Sequence, residues 1–149
     1  MDSWPDPRRD DQHEDESVVE VGELTLSTED SLAILQLVNQ AEDCASARDV
    51  EGYVELFTED GVIIGAMGSA TGRTELAAAV AAAWFEEPSG ALHLTLNPTI
   101  EETEDGPIVD SVMLIMTPGH SPRMISASQV RQTVRWTPEG WRITTREIL

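Results

Sequence analysis

The most regular pattern in the chain is an alternation of leucines and polar residues from Leu92 to Asn97. In an extended chain this alternation turns the leucines to one side of the strand and the polar side chains to the other. The polar side carries His93, the only histidine that falls inside a regular element of the pattern. The stretch therefore predicts a strand with one apolar face and one polar face that bears an ionisable imidazole.

Four strand-like runs make up the second half of the chain, and turns rich in glycine or proline separate them. The runs cover residues 91–103, 107–117, 122–136 and 140–149. Short strands that follow one another with such turns predict an antiparallel meander.

The first half of the chain shows helical spacing instead. Ser27 or Thr28 can cap a first helix, which Arg48 and Asp49 end. A second helix (50–57), a turn (58–61), a buried strand (62–64), a glycine-rich turn or narrow hairpin (65–72) and a third helix (75–85, capped by Thr71 or Thr74) follow. Three helices followed by a meander predict an α+β fold, with the helices on one face of a curved, mostly antiparallel sheet.

Residues 1–27 have no such periodicity and are rich in acids and prolines. We expect them to form a disordered acidic tail before a domain over residues 28–149. The first 30 residues hold eleven acids and two arginines, which is −9 of the net charge of −19. Such a charge argues against binding to nucleic acid or to an anionic membrane. A docking role of the tail for a basic partner is a weaker hypothesis.

The remaining composition narrows the class of protein further. No apolar run reaches the ~18 residues of a spanning helix, and no signal peptide is recognisable, so a cytoplasmic protein is the default expectation. All nine basic residues are arginine, which together with many alanines suggests a GC-rich bacterial source. The three histidines have no metal-ligand spacing, and we expect neither a metal nor a cofactor.

Several short motifs occur in a characteristic order over about residues 30–149. They are Ile34-x-x-Leu37, the run from Arg48-Asp49-Val50-Glu51-Gly52-Tyr53 to Leu56-Phe57-Thr58-Glu59-Asp60-Gly61-Val62, Thr71-Gly72-Arg73-x-x-Leu76, His93-x-x-x-Asn97-Pro98-x-Ile100, and Gly140-Trp141-Arg142-Ile143. This order resembles the SnoaL-like branch of the nuclear transport factor 2-like superfamily. The resemblance implies a cone-shaped fold in which a curved sheet wraps the helices around a mostly apolar cavity, and a homodimer formed through the outer sheet face.

Enzymes of this superfamily act without cofactors on small hydrophobic molecules, as dehydratases, isomerases and cyclases. In the dehydratase-like members a histidine on the first long meander strand works with an aspartate near the end of the first helix. The resemblance assigns the histidine to His93, with Asn97 beside it, but the aspartate falls on Ser46 and a frequent tyrosine falls on Ala41. Asp43 and Asp110 are other acids that could serve His93 as partner.

Four residues are candidates for contact with a ligand, and one of them is Asn97, which shares the polar face of its strand with His93. Trp84 and Phe85 end the third helix, near the expected mouth of the cone, where they would either cap a hydrophobic ligand or belong to the core. Met113 suits an adaptable apolar wall.

Two functions therefore remain open at the level of the sequence. One is a cofactor-free lyase or isomerase that uses His93 as acid or base, with a polyketide-, terpenoid- or steroid-like substrate. The other is a non-catalytic ligand-binding or dimerisation module that has lost the aspartate and tyrosine at Ser46 and Ala41.

Overall fold

The computed structural model describes residues 26–149, so the predicted tail lies outside the described residues except for its last two positions. Three helices and six strands make up this part. They are α1 (Thr28–Ala47), α2 (Val50–Glu55), β1 (Phe57–Gly65), β2 (Gly68–Thr71), α3 (Arg73–Phe85), β3 (Leu92–Thr103), β4 (Gly106–Thr117), β5 (Arg123–Thr137) and β6 (Gly140–Ile148). This composition confirms the predicted α+β class. No helix among these residues is long and apolar enough to cross a bilayer.

The six strands form one curved, open sheet in the order β2-β1-β6-β5-β4-β3. All neighbours are antiparallel except β1 and β6, which run parallel in the interior of the sheet. The predicted meander is therefore β3 to β6, and the short hairpin of β1 and β2 extends the sheet beyond it. Strand β3 is an edge strand.

Helix α1 is the longest helix and packs against the inner, concave face of the sheet. The Ser27 hydroxyl accepts a hydrogen bond from the backbone N–H of Asp30 (3.0 Å), and Glu29 and Asp30 place acids in the first turn, as the helix dipole favours. Its buried stripe contributes to the main core, whose fully covered side chains include Ile34, Phe57, Leu76, Val109 and Ile143.

Several boundaries differ from the sequence prediction, most clearly at the start of β1 and at the cap of α3. Strand β1 begins at Phe57, five residues earlier than predicted, because the acidic segment predicted as a turn continues the strand through a register shift before Val62. Helix α3 is capped by Gly72, which adopts a positive φ of 84°, and neither predicted threonine supplies the cap. Instead, the Glu75 carboxylate accepts the backbone N–H of Thr71 at 2.7 Å.

A bulge in β6 determines which side chains face inwards near its end. Val134 of β5 is opposite Ile143, but the preceding Thr133 is opposite Thr145, so one residue of β6 is left over. Strict alternation from Ile143 would turn Arg146 outwards. The extra residue shifts the inward–outward alternation of side chains by one position. Arg146 therefore lies on the buried face, with only 3% of its surface exposed.

The outer face of β3, β4 and β5 is apolar at one end. Register rows there join Leu92 to Met116 and Met124, Leu94 to Leu114 and Ala127, and Leu96 to Val112. Several of these side chains are more than one third exposed. The leucine side of the alternating stretch thus faces outwards, and the side that bears His93 faces the helices.

Candidate functional site

A cavity of about 410 Å³ lies between the inner face of the sheet and helices α1 and α3. Its volume is in the range of pockets that enclose small molecules. The turn between β1 and β2, together with the adjoining strand ends (residues 65–69), borders it on one side. Its wall is mostly apolar, from Ile63, Ala79, Val80, Ala83, Trp84, Met113, Ile115 and Ile148.

The polar part of the wall centres on His93, which is 6% exposed. Its Nε2 lies 2.8 and 3.0 Å from the two carboxylate oxygens of Glu87, in the loop between α3 and β3. Its Nδ1 lies 3.5 Å from Oε2 of Glu42, on the buried side of α1. The imidazole is thus placed between two carboxylates.

Glu42 is also paired with a buried cation. Arg146 donates from Nη2 to Oε1 of Glu42 at 2.5 Å and from Nη1 to the Gln132 side chain at 3.2 Å. The same Nη2 lies 3.2 Å from the sulfur of Met113. The bulge in β6 turns this guanidinium towards the cavity and places Arg146 opposite Gln132 in the sheet register.

The charges in this cluster determine its protonation. Burial favours the neutral form of His93, but the neighbouring Glu42 and Glu87 outweigh it, so the pKa of His93 is raised above its ordinary value. Burial likewise opposes the charged form of Glu42, but Arg146 and His93 outweigh it and lower the pKa of Glu42. The cluster therefore favours the imidazolium form of His93 and the ionised form of Glu42.

A second contact of Glu87 comes from Arg48, the residue that ends α1. Arg48 Nη1 donates to Oε1 of Glu87 at 2.7 Å and to the backbone carbonyl of Ala45 at 3.1 Å. The oxygen that Arg48 contacts is the one nearest to Nε2 of His93. Arg48, Glu87 and His93 thus form a continuous line from the half-exposed surface to the cavity.

An aromatic wall adjoins the imidazole. The Trp84 ring meets the ring of His93 edge-on at 6.4 Å between centroids, and meets Tyr53 edge-on at 5.1 Å. Burial raises the pKa of Tyr53, so its phenol is neutral. These rings restrict the orientation of His93 and provide a flat apolar surface beside it.

Ser46 lies next to His93 but contacts its backbone instead of its ring. The Ser46 hydroxyl accepts the backbone N–H of His93 at 2.9 Å and donates to its carbonyl at 3.3 Å. Since β3 is an edge strand, these backbone groups have no neighbouring strand, and Ser46 satisfies them. The partner position predicted for His93 thus serves to attach α1 to the sheet edge.

The other predicted residues divide into two groups. Trp84 and Met113 line the cavity with His93. Asp43 is exposed on α1, and Phe85 is 86% exposed beyond the cavity wall. Asn97 is exposed in the bulge of β3, with a φ of 51°, and lies outside the cavity. Asp110 pairs with Arg131 on the outer face.

The carboxylates and the cation around His93 (Glu42, Glu87 and Arg146) are not among the site residues predicted from the sequence. Glu42 gave one signal, because it stands between Val38 and Ala45 on the apolar stripe of α1, where a charge needs a buried partner. Glu87 falls in a loop with no periodicity. For Arg146, strict alternation along the strand predicts an outward side chain, and only the bulge in β6 turns it inwards. Among residues 26–149, no group of three or more His, Cys, Asp or Glu is placed to hold a metal ion.

The family model of the SnoaL-like domain matches residues 27–147. The chain belongs to the SnoaL-like domain family. This confirms the resemblance in the sequence motifs. No protein of curated function gives a significant sequence match to this SnoaL-like chain.

Solved structures share the fold. A protein of unknown function with a cystatin-like fold from Nostoc punctiforme is 26% identical, with a TM-score of 0.76 over 83% of this chain and 92% of that one. An NTF2-like protein from Novosphingobium aromaticivorans is also 26% identical, with a TM-score of 0.69 over 80% of both chains. ActVI-ORFA from Streptomyces coelicolor is 19% identical, with a TM-score of 0.72 over 80% of this chain and 95% of that one, which shows the fold alone.

Proposed function

We propose that this SnoaL-like protein is a cofactor-free acid–base enzyme that acts on a small, mostly hydrophobic molecule with a hydroxyl or carbonyl group. The observation that carries the proposal is the 2.8 Å contact between His93 Nε2 and Glu87 in the wall of an apolar cavity. Proton transfer to and from carbon requires an acid and a base at hydrogen-bond distance, and His93 and Glu87 provide both beside a mostly apolar wall.

The raised pKa of His93 assigns the acid role to the imidazolium and the base role to Glu87. In a dehydration, the Glu87 carboxylate removes a proton from carbon while His93 Nε2–H protonates the hydroxyl on the neighbouring carbon. The C–H electron pair becomes the new double bond, and the C–O pair leaves with the oxygen as water. The proton on Glu87 then returns to Nε2, which restores both groups without another reactant.

The cavity wall indicates the class of substrate. Its aliphatic and aromatic side chains favour a carbon skeleton with few polar groups, and Trp84 offers a flat surface for a ring. The polar groups are confined to the end around His93, so the reacting oxygen of the substrate belongs there. This is consistent with a polyketide-, terpenoid- or steroid-like molecule.

The test uses a panel of cyclic and aryl β-hydroxyketones, followed by NMR for loss of water and for exchange of carbon-bound protons with deuterated solvent. For a substrate that reacts, His93→Gln and Glu87→Gln should each lower kcat by ~10²–10⁴-fold. His120→Gln, which changes a histidine in an exposed turn, is the matched control and should be unchanged.

The pH profile gives a second test of the assignment. If His93 acts as the acid, its protonated form is active, and kcat falls as the pH rises through the raised pKa of His93. A rate that increases over this range would contradict the acid role, and unchanged rates in His93→Gln would remove His93 from the reaction.

A non-catalytic binding module is the second candidate. Its supporting observation is that carboxylates already face both nitrogens of His93, so a ligand must displace one of them to reach the ring. Calorimetry with non-reacting ketones distinguishes the two. A binding module predicts tight binding that His93→Gln leaves unchanged, together with no turnover on any member of the panel.

We also propose that two copies associate through the apolar outer face of β3, β4 and β5. Contiguous exposed apolar patches of this kind are unusual on monomers, and Leu92 and Leu96 are 36% and 40% exposed. Leu94 lies in the middle register row of this patch. Light scattering after size-exclusion chromatography should give twice the chain mass, and Leu94→Glu should halve it; a monomeric wild-type protein would refute the association.

A further inference from the structure

The residue that ends α1 has an unusual backbone conformation. Arg48 adopts φ 59° and ψ 31°, in the left-handed region that glycine occupies at many helix ends. A residue with a Cβ is disfavoured there relative to glycine. Its backbone N–H closes the helix onto the carbonyls of Cys44 and Ala45, which glycine would do equally well. The reason for an arginine therefore lies in its side chain.

The side chain of Arg48 makes one contact that a helix cap does not need. Its Nη1 donates to Glu87 Oε1 at 2.7 Å, while Glu87 contacts His93. Glu87 belongs to a loop, where its backbone N–H bonds to the Trp84 carbonyl at 3.2 Å but nothing in the backbone directs its carboxylate inwards. The Glu87 side chain is 13% exposed and that of Arg48 is 31% exposed, so the ion pair is partly shielded from water.

We propose that Arg48 is a positioning residue that holds the Glu87 carboxylate against His93. This inference rests on the proposed acid–base function, in which Glu87 is the base. Arg48 contacts neither the cavity nor the imidazole. It acts through Glu87, by binding Oε1 and thereby keeping the carboxylate directed towards Nε2 of His93.

Arg48→Gly separates this role from a structural one. Glycine fits the left-handed backbone better than arginine does, so the substitution should leave the thermal midpoint unchanged or raise it. The same change removes the guanidinium, and Glu87 can then turn towards solvent. Arg48→Gln, which keeps a side chain at this backbone position, is measured in parallel.

The readout is the titration of His93 by NMR, assigned with His93→Gln and independent of any substrate. The charged groups that face His93 are Glu42 from α1, Glu87 from the loop, and Arg146 from β6 behind Glu42. If Arg48 positions Glu87, both variants lose the Glu87 contact, and the titration midpoint moves to lower pH. If Arg48 acts by its charge alone, removing a cation moves the midpoint to higher pH. An upward or absent movement would overturn the proposal.

Arg131→Gln is the matched control, since it breaks an arginine–carboxylate pair with Asp110 on the outer face and should leave the midpoint unchanged. Once a substrate is found, Arg48→Gly should lower kcat by ~10- to 100-fold with little change in KM. A protein with the expected NMR response but no turnover on any substrate would leave the positioning contact in place and count against the enzymatic function alone.

Discussion

Replacement of Arg146 by methionine is expected to destabilise the protein strongly. Arg146 and Glu42 are each 3% exposed, and their contact is supplemented by Gln132. Methionine keeps much of the length of the side chain and removes the charge. Glu42 would remain buried, with His93 at 3.5 Å as its nearest cation.

The size of the expected loss in stability follows from the burial of Glu42 and Arg146. Removing one partner of a buried ion pair costs about 3–5 kcal/mol, because the other charge is left without compensation. That is a large part of the ~5–15 kcal/mol that stabilises an ordinary domain. The double variant Glu42→Met/Arg146→Met removes both charges and should recover all but ~1 kcal/mol, since buried pairs contribute little net stability over apolar residues of similar volume.

Urea unfolding of the four proteins of this double-mutant cycle gives the free energies. The loss in Arg146→Met should be larger at pH 8 than at pH 5, because burial without Arg146 favours the protonated form of Glu42, which forms more readily in acid. A loss below ~1 kcal/mol at pH 8, or a double variant that is no more stable than Arg146→Met, would refute the reasoning.

Three other predictions concern stability. Because the pKa of His93 is raised in the folded protein, protonation of His93 stabilises the fold. This contribution is complete below the ordinary pKa of ~6.5 and is lost as the pH rises through the raised value. The corresponding fall in the free energy of unfolding with pH should be absent in His93→Gln. Ser46→Ala should cost ~1–2 kcal/mol in chemical denaturation, because two backbone groups of His93 lose their partner, whereas an unchanged midpoint would show that water replaces it. Arg131→Gln should leave the urea midpoint nearly unchanged, because its pair with Asp110 is exposed; a clear fall in the midpoint would contradict this.

Much of the fold was predictable because it depends on local patterns. The helix from Thr28, the hairpin turns and the alternation around His93 each follow from periodicity and turn residues within a few positions. Alternation alone does not decide that His93 points inwards, because neither face of β3 is a simple solvent face. The leucines belong to an exposed apolar patch on the outer face, and the imidazole meets charges on the inner face.

The charged partners of His93 were not predictable in the same way. The family pattern predicts the acidic partner of His93 at Ser46, whereas the carboxylate on this helix is Glu42, one turn earlier. Arg146 reaches the cavity through a one-residue bulge that depends on pairing with β5 and not on its own sequence neighbours. Glu87 depends on a loop whose path is fixed by packing. Each of these positions is set by long-range contacts, which a local pattern does not contain.

The parallel pairing of β1 with β6 has a consequence for the order in which the charged cluster around His93 forms. Glu42 and Arg146 are 104 residues apart in sequence, and β6 must insert between β1 and β5 before they can meet. Such non-local closure slows folding. On the ribosome, α1 and β1 to β5 emerge before the guanidinium is available, so Glu42 must stay hydrated or protonated until β6 has emerged. The cavity therefore acquires its charge balance only when β6 joins the sheet, and without β6 the sheet would be divided between β1 and β5.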